Sequence, residues 1–417
     1  LLKDAMRMDE IHQIHDFRSK LLQSSVWPHV VDYVRWQQQA REAQRAGGPL
    51  PQVPERAPVS INLDLTTACN YRCDHCIDWD ILNSGVKHRE DELRDSLRHL
   101  AQRGLRSVIL IGGGEPTVYP RFVDMVQFLK HELRQQVAVV SNGGRNDRIL
   151  EAAPFFTAGD WVRLSLDAGR DDTFQRMHKP RQPITLDEIC AYVPRIKAQN
   201  PQLKVGYSFI VTWRGAQRDD ARIVENIDEL VLATRRARDF GFDYISVKPF
   251  LVRADANGSE VMDPSRAEEE LRTVVQKIRA ALAEARQLET EHFRVIESTN
   301  LKLLENQSWH AFTRQPRQCH MQFFRQVLTP HGVFNCPVYR SVPQAKVAER
   351  DGYKDADGCR QTHQKTGELI WRFDAAHECR EVTCLYHATN WWLQELVEHP
   401  DRLAHIEPQP DRGDYYL

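Results

Sequence analysis

Residues 66–78 read TTACNYRCDHCID and follow directly on Val59–Leu65, the first of a series of short apolar runs. Cys69, Cys73 and Cys76 therefore share one loop at the carboxyl end of a predicted strand, with three and then two residues between them. Three thiolates this close can hold three irons of a 4Fe-4S cube and leave the fourth iron without a protein ligand. Two other readings stand beside that one: a zinc loop, for which His75 and Cys190 are the obvious spare ligands, and a chance cluster of buried thiols.

On the carboxyl side of this loop, further apolar runs at Ser107–Ile111, Val137–Ser141, Trp161–Leu166, Lys204–Val211 and Tyr244–Lys248 alternate with helical patterns near 91–103, 122–132, 145–153, 186–198 and 220–240. Such alternation predicts right-handed crossovers, a parallel sheet and ligands at the carboxyl ends of the strands. Six strands fall short of a closed eight-stranded barrel. A charged helix with Asp263 as N-cap and Pro264 in its first turn is expected to run to about Leu288 as a solvated outer helix.

On the amino side, Ile11, Ile14, Phe17, Leu21 and Leu22 recur at helical spacing, and Val30, Val31 and Val34 suggest a second helix beyond Pro28. The run GGPLPQVPERAP at 47–58 breaks any helix and reads as a linker. From residue 317 onward, five of the nine cysteines fall among short strand and turn signals. The expected division is thus 1–58, a helical extension and linker; 59–316, an α/β unit; and 317–417, a small cysteine-bearing unit.

The 417 residues exceed one domain and suffice for a continuous core. With 56 Lys plus Arg against 58 Asp plus Glu, a net charge of -2 gives no electrostatic support for a nucleic-acid or anionic-membrane partner. No apolar run approaches the roughly 18–20 residues that span a bilayer, and no signal-peptide core is visible, so a cytoplasmic protein is expected. Nine cysteines, an odd number without a secretory signal, point to metal or redox chemistry rather than a disulfide framework.

The run Ser107–Ile111 leads into GGGEPT at 112–117. Glycines there let the backbone approach a ligand, and Glu115 offers a carboxylate to a cationic amine; no Gly-Lys-Ser/Thr follows for phosphate. Together, CNYRCDHC and GGGEPT resemble the radical S-adenosylmethionine (SAM) superfamily, with further agreement in VVSNGG at 139–144, RLSLDA at 163–168 and DDTFQRMHKP at 171–180. The resemblance spans roughly 59–250 and implies a partial (β/α)6 TIM-like barrel. By the same resemblance, Cys69, Cys73 and Cys76 ligate a 4Fe-4S cluster whose open iron chelates SAM. Gly113, Gly114 and Glu115 would meet the methionyl amine, and Ser141 and Ser165 the carboxylate or ribose. One electron from a flavodoxin- or ferredoxin-like reductant would then cleave the sulfonium and leave a 5′-deoxyadenosyl radical.

In CHMQFFRQVLTPHGVFNC, apolar runs flank Thr329–Gly332, which suggests a β-hairpin that returns Cys336 toward Cys319. Cys379 and Cys384 supply a second pair, and scattered core thiols or a structural zinc site are the bland readings. Beside the first motif, this segment looks like a twitch or SPASM extension carrying one auxiliary 4Fe-4S cluster. The family pattern has four residues between the Gly and the second Cys, and this chain has three. Cys359 is left over, as a substitute ligand, an inert thiol or a hydrogen donor to a substrate radical.

The expected reaction is hydrogen abstraction from a small polar substrate, such as a sugar, aminocyclitol or nucleoside, ending in oxidation, epimerisation or elimination. The alternative is a peptide maturase, disfavoured because residues 1–58 read as too short and too purely helical for a leader-binding winged helix.

Overall fold

A computed structural model describes residues 15–218, 221–254, 257–262, 264 and 270–417. Ile11, Ile14 and the N-cap expected at Asp263 lie outside the described residues. All six apolar runs form strands: β1 (Ser60–Leu63), β2 (Ser107–Leu110), β3 (Gln136–Ser141), β4 (Trp161–Ser165), β5 (Lys204–Val211) and β6 (Tyr244–Pro249). Four more follow, β7 (Arg294–Glu297), β8 (Arg325–Thr329), β9 (Gly332–Phe334) and β10 (Lys346–Ala348). One sheet holds them in the order β7-β6-β5-β4-β3-β2-β1-β8-β9-β10.

Strands β1 to β8 pair in parallel, and β9 and β10 add antiparallel. Among the described residues β7 and β8 do not pair with each other, so the α/β partial barrel expected from the alternation is present and open. The two extra parallel strands are a correction to the count of six. β7 is only Arg-Val-Ile-Glu, too short for a pattern. β8 is the first arm of the expected hairpin, which closes with Thr329 opposite Gly332, but its pairing with β1 is a long-range contact that no local pattern announces.

Side chains alternate across each strand. Val108, Leu110, Val137, Val139, Val162, Leu164, Val205, Tyr207, Phe209, Ile245 and Val247 are all fully buried in the main apolar core. The opposite, inner face carries Asn62, Arg163, Ser165, Ser208, Ser246 and Lys248 (β1 and β4–β6). The amino end of the barrel is sealed by the chain's last residues. Ser107 Oγ donates to the Tyr415 carbonyl (2.8 Å), the Tyr415 N–H donates to Gln136 Oε1 (2.9 Å), and Tyr416 packs on Ile109 and Ala138. The carboxyl ends of the strands are left as the open end.

The helices depart from expectation in two places. The stretch 186–198 is two helices, Leu186–Cys190 and Tyr192–Gln199, because Pro194 has no N–H to give the Cys190 carbonyl. Among the described residues of 220–240, the α-helix runs from Leu230 to Asp239 after a 3-10 turn at Ile227–Glu229; before it, Gln217–Arg218 and Ala221–Arg222 pair antiparallel. There the Asn226 amide donates to the Asp167 and Ile210 carbonyls, and its oxygen accepts from the Thr212 N–H, holding the chain out of helix. The expected outer helix runs from Leu271 to Arg286.

Helix Leu186–Cys190 starts with a reciprocal cap: Thr185 Oγ1 accepts from the Glu188 N–H, and Glu188 accepts from the Thr185 N–H. Thr185→Ala is expected to lower unfolding free energy by about 1 kcal/mol, read from urea denaturation.

Candidate functional site

The cysteine loop leaves β1 at the open end and is tied by its backbone to three neighbouring segments. The Arg72 and Asp74 N–H groups donate to His178 and Met177 carbonyls, the Arg181 N–H to the Asn70 carbonyl, and the Glu115 N–H to the Ala68 carbonyl. Sulfur contacts add to these. The Tyr71 N–H lies 3.4 Å from Cys69 Sγ, and His178 Nδ1 3.3 Å from Cys73 Sγ. Burial and then the Glu115 charge push the Cys69 thiol up to about 11, and burial and then Asp78 push Cys76 up to about 12. Cys73 is raised well above the thiol range by burial, then by Cys76 and Cys69. The three predicted ligands thus sit within electrostatic reach of one another, a donor set that suits a soft, multiply charged metal group.

The GGGEPT turn lies against this loop. Gly112 and Gly113 have φ of +86° and +65°. A Cβ on Gly114 would collide with the Ala68 carbonyl, so the backbone approach read from the glycines is real, and its first partner is the cysteine loop itself. Glu115 is buried and accepts four hydrogen bonds from its own surroundings. Its Oε1 accepts from the Thr117 N–H (3.0 Å), Thr117 Oγ1 (2.6 Å) and Ser141 Oγ (2.8 Å), and its Oε2 from the Asn142 N–H (2.7 Å). The carboxylate that the sequence offered to a cationic amine is committed to cross-linking the ends of β2 and β3.

Burial nevertheless raises its pKa above the ordinary carboxylate value. Glu115→Gln would face an amide N–H₂ against the Thr117 and Ser141 donors or the Asn142 N–H. It is expected to cost about 1–3 kcal/mol in chemical denaturation and to loosen the Ser141 turn. Ser141 Oγ also accepts from the Gly143 N–H (3.1 Å). Ser165 ends β4 in register with Ser208, half-buried, with its hydroxyl unpartnered among the described residues.

Several residues here were not singled out from sequence. Asp167 Oδ2 lies 3.1 Å from His75 Nε2 and 3.3 Å from His178 Nε2, and its Oδ1 accepts from the Ile210 N–H (2.7 Å). Burial opposes its charge, but the His178 and His75 hydrogen bonds hold its carboxyl well below the usual range. Its φ of +51° is a strained conformation fixed by these bonds. His75, weighed as a spare zinc ligand, faces Asp167; Cys190, the other, is buried in the apolar core. The signal lay in RLSLDA and DDTFQRMHKP, whose Asp167 and His178 only the fold brings to Cys73.

In the carboxyl-terminal region, Cys319, Cys336, Cys379 and Cys384 line one cavity together with Arg325 and Asn390. Asn390 Nδ2 lies 3.4 Å from Cys319 Sγ. Burial, then Cys319, pushes Cys336 up to about 12; burial, then Cys319 and other thiols of the set, raises Cys379 and Cys384 well above the usual range. Four thiols around one enclosed space fit a tetrahedral or cubane metal group. Cys359 is not brought to them or to the first loop. It is buried on the helix Ala356–Arg372, with Sγ 3.5 Å from the Tyr353 carbonyl.

Arg340, four residues after Cys336, joins the two cysteine sets. Its Nη1 lies 2.9 Å from Asp78 Oδ2 and 3.6 Å from Asp64 Oδ1, and the Gly113 N–H donates to Asp78 Oδ2 (3.2 Å). A Cβ on Gly112 would collide with this guanidinium. Burial pushes the Asp64 carboxyl up to about 8 and Glu260 up to about 7, with Arg340 opposing both shifts.

Comparison with known proteins agrees with this geometry. A 111-residue stretch, 26% of the chain, is 34% identical to an S-adenosylmethionine-dependent nucleotide dehydratase of Thermoplasmatales archaeon (strain ISO4-H5), over 38% of that protein. A 232-residue stretch, 48% of the chain, is 25% identical to molybdenum cofactor biosynthesis protein 1 of Drosophila melanogaster, over 40% of that protein. The chain thus spans about two fifths of the length of these curated relatives. SuiB of Streptococcus suis, in a crystal with its precursor peptide SuiA, superposes with a TM-score of 0.50 at 13% identity, covering 76% of this chain and 67% of that one. At that identity the likeness is one of fold. The profile of the Radical SAM superfamily, whose members use a 4Fe-4S cluster and SAM, matches residues 63–227. Residues 63–227, which hold the cysteine loop, the GGE turn and Asp167, thus match a Radical SAM domain.

Proposed function

We propose that the protein is a radical SAM enzyme that abstracts a hydrogen atom from a small polar substrate of the sugar, aminocyclitol or nucleoside type, giving oxidation, epimerisation or elimination. The observation that carries this reading is the strapping of Cys69, Cys73 and Cys76 against the GGGEPT turn at the open end of the barrel. With cluster and SAM bound, the chemistry supplied is one-electron cleavage of the sulfonium to methionine and a 5′-deoxyadenosyl radical, which takes the substrate hydrogen.

The chain's own residues position and shield. Cys69, Cys73 and Cys76 would ligate the cluster, and the Gly113–Gly114 backbone would face the methionyl amine. Ser141, aimed by Glu115, and Ser165 would meet the carboxylate or ribose. Cys319, Cys336, Cys379 and Cys384 would hold one auxiliary 4Fe-4S cluster able to accept the substrate radical's electron, which favours net oxidation. The buried setting of Cys359 favours an inert thiol.

We assign residues 1–58 to a helical extension, 59–316 to the barrel and 317–417 to the twitch- or SPASM-like unit. No helix among the described residues is long and apolar enough to cross a membrane, and nine unpaired cysteines suit the reducing cytoplasm, where a flavodoxin- or ferredoxin-like protein would supply the electron. A small-molecule substrate is supported by the relative named as a nucleotide dehydratase. The test is anaerobic incubation of the iron-loaded protein with SAM and dithionite. 5′-Deoxyadenosine above the no-protein control supports the reading, and its absence with an intact cluster refutes it.

A further inference from the structure

The inner face of the barrel on the β4–β6 side carries two basic side chains, Arg163 and Lys248, that form no ion pair among the described residues. Register places Arg163 beside Gly206 and Tyr244, and Ser208 beside Ser246, with Lys248 beside Ile210 and nearer the open end. The alternate residues, from Val162 to Val247, are sealed in the outer core, so these side chains point inward. The Arg163 guanidinium stacks over the Trp161 ring at 5.2 Å. Its Nε is buried without a hydrogen-bond partner, and neither Arg163 nor Lys248 has an ion pair among the described residues.

The carboxylate that acts on both, Asp167, is already held by His75, His178 and the Ile210 N–H. Burial, then the Arg163 charge, lowers the Lys248 pKa well below the lysine range, and burial lowers that of Arg163. By register Ser208 and Ser246 fall between the two cations, and their hydroxyls have no hydrogen-bond partner among the described residues. On the other wall, Asp64 and Asp78 already share Arg340. A half-buried pair of like charges with free donors between them is unfavourable by itself and is relieved by an anion.

We propose that Arg163 and Lys248, with the Ser208 and Ser246 hydroxyls between them, bind an anionic oxygen group of the substrate, a phosphate ester or a carboxylate, and so turn its neutral part toward the cysteine loop. This narrows the small polar substrate of the proposed function to an anionic one and rests on that reading. Arg163 and Lys248 select and orient; they transfer no atom.

The test is calorimetric titration of ribose 5-phosphate, glucuronate and neutral ribose into the iron-loaded protein. At least one anion should bind at least tenfold more tightly than ribose. Lys248→Gln should weaken that anion about tenfold, with Lys248→Arg restoring most of the loss and an unchanged Tm confirming folding. Binding of ribose 5-phosphate alone identifies a phosphate ester, and of glucuronate alone a carboxylate; either supports the site. Equal affinity for ribose and both anions overturns the inference, as does an anion Kd that Lys248→Gln leaves unchanged. A proportional loss of SAM affinity in Lys248→Gln also overturns it, because the cation would then serve the SAM carboxylate. None of these readings needs turnover, so 5′-deoxyadenosine formation by the wild type judges the proposed function separately.

Discussion

Replacement of Cys69, Cys73 and Cys76 together by Ala is expected to lower iron from about eight to about four per chain and to reduce 5′-deoxyadenosine formation to background. Iron and sulfide analysis, with EPR of the dithionite-reduced protein, reads the first effect, and chromatography of the SAM products the second. The physical basis is the separation of the two thiol sets. The first lies on the loop after β1, and the second lines its own cavity beside Arg325 and Asn390. Loss of all iron from the triple variant would assign zinc or no metal to Cys319, Cys336, Cys379 and Cys384 and remove the argument for net oxidation. Full iron retention would instead refute the first site.

Arg340→Met is expected to destabilise the protein by about 3–5 kcal/mol, because it leaves Asp64 and Asp78 buried without their shared cation. The loss depends on pH with a definite sign. Asp64, at about 8, and Glu260, at about 7, sit above their ordinary values, so each removes stability as pH rises from about 4 to its folded pKa. Arg340 opposes both shifts, so its removal carries the folded values higher and extends the destabilising window upward. Urea denaturation should therefore show a larger difference between wild type and variant at pH 9 than at pH 5. A difference that grows toward pH 5 would mean that the cluster is not the origin of the effect. Because Arg340 also covers Gly112 and reaches the Gly113 turn through Asp78, weaker SAM binding is expected in the same variant.

The six core strands were legible because Val, Ile and Leu runs of strand length alternate with helical patterns, and a period is a local property. The three-cysteine loop and the grouping of the four later cysteines were legible for a related reason: cysteine spacing is written in the chain, and a hairpin signal at Thr329–Gly332 was enough to return Cys336 toward Cys319. Glu115 was found as a residue, but its hydrogen bonds were not, since only the fold turns Ser141 and Asn142 onto its oxygens. Helix was overcalled at 220–230 because propensity ignores Asn226, whose amide is captured by carbonyls of distant segments.

What the sequence alone determined about this protein is the alternation that makes a partial barrel, the two cysteine sets and the turn that adjoins the first. What only the tertiary structure decided is which groups meet across strands. It set β8 on β1, Arg340 on Asp64 and Asp78, His178 on Cys73 and Asp167, and Arg163 with Lys248 on one inner wall without an ion pair among the described residues. Local patterns follow from the few dihedral angles and side-chain periods of a short segment. Buried charge pairs join residues tens to hundreds of positions apart, and their partners are fixed only when the sheet order and register bring the segments together.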